Sequence, residues 1–300
     1  MPFLKLESLN LHYEHQTKGD TPIIFLHGNF GSWHYWQPFL QNLPDGYCGY
    51  APDFRGCGES QVTDNGYDIK TLSKDILAFA DQLELEKFHL VGHSLGGAVA
   101  QELAGRVPER IITLTLVSPA PAEGLKSLAN VSLSDSIFSA KNIFRSIDRV
   151  GLKRKLISIS FRKSMPRLAQ NKTFFNQALD DATKMDIKAF SGFLKTLKQW
   201  NGEHLLQRFN FPVLIMYGEL DSVISLQSLK KMEQHINNCI FHTFRHVGHA
   251  PQLEQPKAFN KLLSAFIRGK NIKNITESKV ANKPTGLFKK LTSKLKYFFK

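Results

Sequence analysis

Hydrophobic residues follow two different periods along this chain, and the change between them predicts its elements. Leu4, Leu6, Leu9, Leu11 and Tyr13 alternate with polar residues, which predicts two antiparallel strands at the edge of a sheet. From residue 21 onward, continuous apolar runs typical of buried parallel strands alternate with stretches of helical period. These runs occupy residues 23–26, 88–91, 111–117, 211–217 and 239–244. The pattern predicts an α/β fold with a mostly parallel, doubly wound sheet.

The stretch between the runs at 111–117 and 211–217 lacks a strand pattern. Its apolar residues recur at helical spacing instead, so it is expected to form a helical insertion over residues 121–205. The core is then assigned to residues 1–120 and 206–269. The aromatic residues of the insertion fit either an apolar pocket or ordinary helix packing: Phe138, Phe144, Phe161, Phe174, Phe175, Phe190 and Phe193.

The C-terminal region divides into a polar and an amphipathic part. Residues 270–286 lack apolar periodicity and are predicted to be a linker. Over residues 287–300 a basic amphipathic helix is predicted, because its apolar residues share one helical face and its lysines occupy or flank the other. Two alternatives for this tail stay open, a solvated basic end and a segment that docks on a partner protein or a nucleic acid.

Charge is distributed unevenly over the 300 residues, whose formal net charge is +13. Residues 121–205 contain 15 Lys/Arg and 7 Asp/Glu, and residues 270–300 contain 9 and 1, whereas the remainder is mildly acidic. We therefore expect the insertion and the tail to contact an anionic membrane surface. No specific nucleic-acid partner is expected, since no motif that reads bases is present and basicity alone attracts phosphates nonspecifically.

Targeting and cofactor signals are absent from the sequence. The N-terminus lacks a signal-peptide pattern, and no apolar run approaches the length of a membrane span. Cys48, Cys57 and Cys239 have no paired spacing, which argues against a disulfide framework or a zinc site. We expect a cytoplasmic protein without metal or cofactor, peripheral at the cytoplasmic membrane face if its basic segments bind there. The sequence does not indicate an oligomeric state.

A candidate nucleophile follows the apolar run at 88–91. Gly92-His93-Ser94-Leu95-Gly96-Gly97 lies between this strand and a helical stretch, so Ser94 is expected at the apex of a sharp turn. The next amide, from Leu95, then lies at a helix N-terminus, where negative charge is stabilised. An ordinary glycine-flanked turn is the alternative interpretation. The strand before it and the helix after it favour a reactive serine.

An acid and a histidine, the two partners that a reactive serine requires, follow Ser94 in the chain. Asp221 comes just after the run at 211–217, and His249 comes just after the run at 239–244. Because carboxyl ends of parallel strands open on one edge of the sheet, these side chains can converge on Ser94. Competing candidates remain at both positions, Glu219 for the acid and His242 or His246 for the histidine.

The order serine, acid, histidine, with the turn at 92–97, resembles the α/β-hydrolase superfamily over about residues 3–268. This resemblance implies that the insertion is a helical cap. It also implies that His27-Gly28-Asn29-Phe30 forms an oxyanion loop, in which the Asn29 amide, or Phe30 as the fallback, acts beside Leu95. The stretch at 53–60 resembles a structural turn of the family, in which Asp53 and Arg55 are expected to form an ion pair.

The nucleophile separates neighbouring subfamilies. The loop at 28–32 is similar to those of haloalkane dehalogenases and epoxide hydrolases, but those enzymes have an aspartate where this chain has Ser94. The sequence therefore predicts a serine hydrolase, esterase-like or lipase-like, that cleaves a hydrophobic carboxylic ester through an acyl-enzyme. Other acyl or carbon–carbon bond hydrolases, acyl transfer, and a slow-turnover small-molecule receptor remain alternatives, because the triad does not fix the substrate.

Overall fold

The fold is known from a computed structural model that describes residues 2–7, 9–125 and 152–272. The tail helix, nearly all of the linker, and Phe138 and Phe144 of the insertion lie outside these residues. Within them, no helix is long and apolar enough to span a bilayer.

Eight strands form one sheet whose spatial order is β1-β2-β4-β3-β5-β6-β7-β8. The first two pairings, β1 with β2 and β2 with β4, are antiparallel, and the other five are parallel. This confirms the α/β class with a mostly parallel sheet. The strands are β1 Phe3–Leu6, β2 Leu9–Thr17, β3 Thr21–Leu26, β4 Tyr47–Pro52, β5 Phe88–His93, β6 Ile111–Val117, β7 Val213–Gly218 and β8 Cys239–Phe244.

Nine α-helices accompany the sheet in the described part of the chain. Short 3₁₀ turns at Trp33–Trp36, Pro108–Arg110, Leu168–Gln170 and Glu203–Arg208 complete the regular structure there. The helices are α1 Gln37–Leu40, α2 Ile69–Gln82, α3 Leu95–Arg106, α4 Lys153–Ser164, α5 Lys172–Lys184, α6 Ile187–Gln199, α7 Leu226–His235, α8 Pro251–Glu254 and α9 Pro256–Ile267.

Alternating side chains of the parallel strands feed two separate hydrophobic clusters. In β3, Ile24 and Leu26 join the cluster that packs against α2 and α3, while Ile23 and Phe25 join the one that contains residues of α1 and α9. Successive side chains of a strand point to opposite faces, so this division shows that helices cover both faces of the sheet. The result is the doubly wound arrangement that the continuous apolar runs predict.

Residues 152–205, which together with 121–125 are the described part of the insertion, contain the helices α4, α5 and α6. Asn171 and Asp186 begin α5 and α6 by accepting hydrogen bonds from backbone amides of the first turn. A buried carboxylate of α5, Asp181, accepts a hydrogen bond of 2.7 Å from Ser32 in the loop after β3. The insertion is thus attached to a loop at the carboxyl edge of the sheet, where the candidate residues lie.

The expected ion pair between Asp53 and Arg55 is wrong. Asp53 Oδ2 lies 2.7 Å from His12 Nδ1 on β2, whereas Arg55 binds the two carboxylate oxygens of Asp75 on α2 at 2.7 and 2.8 Å. The two side chains leave the turn towards different elements, so neither can reach the other. Each instead ties the turn at 53–60 to a different layer of the fold.

Candidate active site

Ser94 occupies the turn between β5 and α3 with backbone angles of φ 52° and ψ −115°. A residue with a side chain seldom adopts such angles, and holding one there costs on the order of 1–3 kcal/mol. Two bonds hold the turn: Ser94 N–H donates to Val117 O at 3.1 Å, and Ser94 O accepts from Ala120 N–H at 2.9 Å. Ser94 stands at the N-cap of α3, but its hydroxyl makes no capping hydrogen bond. The side chain is thus not used for capping the helix that it begins.

Two glycines allow the predicted oxyanion loop to approach this turn. A Cβ on Gly96 would lie 2.4 Å from the carbonyl oxygens of both Leu26 and His27, which is far inside van der Waals contact. A Cβ on Gly28 would lie 3.0 Å from the Cβ of Ser94. The loop after β3 and the turn after β5 therefore pack backbone against backbone, and any side chain at either glycine would force them apart.

Two backbone amides beside this contact have no protein acceptor among the described residues, those of Asn29 and Leu95. The fallback donor, Phe30 N–H, is already engaged, because it donates to Asn29 Oδ1 at 3.0 Å. Phe30 also has a φ of 65°, which marks the sharp turn of the loop. Of the two predicted loop donors, the geometry therefore favours Asn29.

His27 holds the same loop in place through both nitrogens of its ring. Phe54 N–H donates to His27 Nε2 at 2.9 Å, which leaves Nδ1 as the protonated nitrogen, and Nδ1 donates to Gly28 O at 2.8 Å. Burial lowers the pKa of His27, although the charge of Asp53 opposes this effect. The ring is thus a neutral structural bridge between the loop after β3 and the loop after β4.

Asp221 and His249 meet as their positions after β7 and β8 predict. Asp221 Oδ2 lies 2.9 Å from His249 Nδ1, and Oδ1 accepts from the amides of Val223 and Ile224 at 2.8 and 3.0 Å. Burial alone would raise the pKa of Asp221, but the charge and hydrogen bond of His249, with these two amides, lower it. The carboxylate is therefore ionised at neutral pH, which places a proton on Nδ1 and leaves Nε2 to act as a base.

The residue directly before the serine brings the turn at Ser94 and the loop of His249 together. His93 Nε2 lies 2.8 Å from the main-chain oxygen of His249, and the centroids of the two rings are 4.9 Å apart. Among the described residues no hydrogen bond joins Ser94 Oγ to His249 Nε2. Such bonds are often long before substrate binds, so this geometry is compatible with the predicted pair.

The comparison with family models decides the family. Residues 21–256 match the model described as the alpha/beta hydrolase fold, which is well over half of the chain. The chain belongs to the α/β-hydrolase family. A 2-hydroxy-6-oxononadienedioate/2-hydroxy-6-oxononatrienedioate hydrolase from Pseudomonas putida is 26% identical over 278 residues, covering 86% of this chain and 92% of the relative.

Solved structures of this family share the fold. The enol-lactonase from Burkholderia xenovorans superposes with a TM-score of 0.77 at 18% identity, covering 89% of this chain and 100% of that one. An esterase from Exiguobacterium antarcticum gives 0.74 at 20% identity, covering 89% and 98%. Both likenesses show the fold of this α/β-hydrolase, and neither assigns its substrate.

Two of the three competing candidates, Glu219 and His246, form a separate pair at the surface of this α/β-hydrolase. Glu219 accepts a hydrogen bond of 2.9 Å from the amide of His246, whose side chain is 79% exposed. His242 lies within β8 with its ring against Phe244, and burial lowers its pKa. The structure thus brings Asp221 and His249 together and leaves Glu219, His242 and His246 apart from that contact.

The main chain of His249 is held from two sides, which the sequence did not reveal. His249 N–H donates to Ser164 O at the end of α4 at 2.8 Å, while its carbonyl accepts from the His93 ring. Glu254 adds a third link, because its carboxylate accepts from Ala250 N–H at 3.2 Å and from Arg167 N–H at 3.0 Å. The histidine loop therefore depends on the insertion of this α/β-hydrolase as well as on its core.

Burial lowers the pKa of His93 to about 3, and the neighbouring His249 adds to the effect. The ring is therefore neutral over the pH range in which the protein would act. A neutral ring that donates from Nε2 has no proton on Nδ1, which matches the lack of any partner for that atom in the described part of the chain. His93 thus acts as a fixed donor to the histidine loop.

No cluster of three or more His, Cys, Asp or Glu side chains that could hold a metal occurs within residues 2–7, 9–125 and 152–272. The three cysteines are free thiols, and Cys48 and Cys57 are buried.

Proposed function

We propose that this α/β-hydrolase is a serine hydrolase that cleaves a carboxylic ester through an acyl-enzyme on Ser94. The observation that carries this proposal is the hydrogen bond of 2.9 Å between Asp221 and His249, formed beside the strained turn of Ser94. A nucleophile, a base and an orienting acid are the three groups that ester hydrolysis by serine requires.

In the first half of the proposed reaction, Ser94 Oγ attacks the ester carbonyl carbon while His249 Nε2 takes the hydroxyl proton. The amides of Leu95 and Asn29 stabilise the oxyanion of the tetrahedral intermediate, and losing one such donor costs on the order of 3 kcal/mol. The carbon–oxygen bond of the ester then breaks, and His249 passes its proton to the leaving alcohol. Asp221 stabilises the imidazolium while it carries that proton.

Water completes the proposed cycle. It attacks the acyl-enzyme while His249 Nε2 takes one of its protons, and a second tetrahedral intermediate forms at the same two amides. When the bond to Ser94 Oγ breaks, His249 returns the proton to the serine and the carboxylic acid leaves. Each half of the cycle thus uses the same residues, with water in place of the serine hydroxyl.

An aromatic cluster next to the proposed oxyanion donor supports a hydrophobic ester as substrate. The ring of Phe30 lies 5.1 Å from that of Phe190 on α6 and 6.4 Å from that of Phe161 on α4, measured between centroids. Phe30 and Phe190 are only partly buried. An apolar wall beside the reacting carbonyl favours an apolar acyl or alcohol group over a charged one.

Carbon–carbon bond hydrolysis is the second candidate, and the Pseudomonas putida relative favours it. The same serine, base and acid could cleave such a bond, since the triad does not fix the bond that breaks. The two proposals differ in the substrate that is turned over. A carbon–carbon hydrolase should consume a vinylogous diketone acid faster than any simple ester.

Activity on p-nitrophenyl esters of increasing acyl chain length tests the proposal. We expect turnover that rises with chain length, that falls by at least about a thousandfold in Ser94→Ala, and that is unchanged in the control Ser228→Ala. A fluorophosphonate probe should label the wild type and not Ser94→Ala. Full activity in Ser94→Ala would refute the mechanism, and labelling without steady-state turnover of any ester would refute the esterase assignment.

A further inference from the structure

Exposed large hydrophobic side chains are concentrated beside the loop of His249. The described residues include eight of them, with exposed fractions from 42% to 57%. Six belong to two segments, the region of α4 and the stretch from the loop after β7 to the first residue of α7: Leu152, Leu156, Ile159, Leu220, Val223 and Leu226. The other two, Phe3 and Val62, lie in β1 and in the loop before α2.

Helix α4 is apolar on two opposite faces. Ile157 and Phe161 are buried and anchor the helix to the fold. Leu152, Leu156 and Ile159 follow a spacing of four and three residues, which aligns them along the opposite side of the helix. They are 45%, 49% and 57% exposed. A helix that only faces water would carry polar residues there, so this apolar stripe indicates a contact surface.

The flanks of this stripe are basic. Helix α4 contains five Lys/Arg residues and no Asp or Glu. Three of them are engaged: Lys153 donates to Thr183 O, Arg154 pairs with Asp180, and Arg162 lies over the ring of Phe175. The other two, Lys155 and Lys163, are exposed and form no ion pair among the described residues. Exposed apolar side chains between unpaired cations are the combination that an anionic lipid surface binds.

Both apolar segments are bonded directly to the histidine loop. Ser164 O at the end of α4 accepts from His249 N–H at 2.8 Å, and Leu220 N–H donates to Val247 O at 2.7 Å. At a helical rise of about 1.5 Å per residue, Ile159 lies roughly 8 Å along the axis from Ser164. The end of α4 that carries Ile159 and Lys163 is therefore next to the histidine loop.

We propose that Leu152, Lys155, Leu156, Ile159 and Lys163, here called the docking ridge, bind an anionic lipid surface beside the active site. The exposed apolar residues of the loop after β7 would adjoin the same surface. The chain's own residues 287–300 are an unsuitable occupant, because they contain five lysines and no acidic residue and would be repelled by the ridge. The basic tail and the ridge can instead bind the same anionic surface together.

Co-sedimentation with vesicles tests the ridge on the full-length Ser94→Ala protein, so that no lipid is hydrolysed. We expect binding to vesicles of phosphatidylcholine with phosphatidylglycerol and little binding to phosphatidylcholine alone. The double substitution Leu156→Asp with Ile159→Asp should lower the partition coefficient at least tenfold, as should Lys155→Glu with Lys163→Glu at moderate salt. Circular dichroism should show that both variants remain folded.

Matched controls use exposed residues outside the ridge. Val62→Asp introduces a charge at a side chain that is 45% exposed, and Lys257→Glu reverses an exposed charge on α9. Both should bind vesicles as the parent protein does. Because Ser94 is absent throughout, these measurements do not depend on the proposed hydrolysis.

Two outcomes would overturn the proposal. One is equal vesicle binding by the ridge variants and their parent, with binding lost only when Lys289 and Lys290 of the tail are changed to Glu. The other is failure of the parent protein to bind anionic vesicles at all. Binding to a soluble polyanion without binding to vesicles would belong to the second outcome, because charge alone would then explain it.

Discussion

Replacing His93 by glutamine should make the protein more resistant to acid. The His93 ring is buried, and burial lowers its pKa from 6.5 to about 3. As pH falls below about 6.5, the unfolded chain therefore takes up a proton that the folded chain refuses, and the free energy of unfolding decreases. Glutamine has no such proton equilibrium, while its side-chain amide can still donate to His249 O.

The size of this decrease in stability follows from the pKa of the His93 ring in the unfolded state, 6.5, and in the folded state, about 3. Above about pH 7 the ring is neutral in both states and contributes no pH dependence. Below the pKa of the unfolded state, the decrease in the free energy of unfolding approaches about 1.4 kcal/mol for each pH unit. By pH 5 the wild type should therefore have lost about 2 kcal/mol that His93→Gln retains. The loss would continue towards pH 3, where the folded ring begins to accept the proton as well.

Urea unfolding of the wild type and His93→Gln at about pH 8 and about pH 5 measures this difference. The exposed His15 supplies a control, because His15→Gln corrects for the loss of one histidine in general. A third variant, His93→Phe, removes the donor to His249 O and should be less stable than His93→Gln by about 1–3 kcal/mol at both pH values. If the free energy of unfolding changes equally in the wild type and in His93→Gln between the two pH values, the assignment of a buried, neutral His93 is refuted.

Two further predictions concern the serine turn and its acid. Asp221→Asn should lower kcat on esters about 10⁴-fold with little loss of stability, because an amide favours the wrong tautomer of His249. The control Glu219→Gln should keep full activity. If the control loses activity and Asp221→Asn does not, the acid is Glu219. Gly96→Ala should lower the free energy of unfolding by at least about 1–3 kcal/mol, since its Cβ would lie 2.4 Å from two carbonyl oxygens. In the control Gly31→Ala the nearest contact is 3.2 Å, and urea unfolding should show a clearly smaller loss.

The strands and the residues at their ends could be predicted from the sequence because both depend on local patterns. Continuous apolar runs mark buried strands, and parallel strands share one carboxyl edge, so Asp221 and His249 could be placed together. The edge pair β1 and β2 followed from simple alternation. The exact ends of a strand do not follow from the apolar run alone, because the run at 88–91 is part of a longer strand, Phe88–His93.

Contacts between distant elements could not be predicted in this way. Arg55 pairs with Asp75 rather than with its near neighbour Asp53, because the direction of each side chain depends on the helix or strand that packs beside it. The two hydrogen bonds that hold the main chain of His249 likewise join residues far apart in sequence. Neither Ser164 nor His93 lies in a local sequence pattern that predicts its hydrogen bond to the main chain of His249. The domain limits, the cap and the tail helix stay predictions.

The bond between Ser164 O and His249 N–H has a consequence for protein engineering. Exchanging insertions between relatives is an obvious way to alter substrate range, and it treats the insertion as an independent module. Here the junction that follows α4 also supports His249, with Arg167 bound to Glu254 as a second attachment. A chimaera should therefore keep residues 164–167 from the recipient and accept foreign sequence only before them. Grafts that cross this boundary would alter turnover and selectivity together, and the two effects could not be tuned separately.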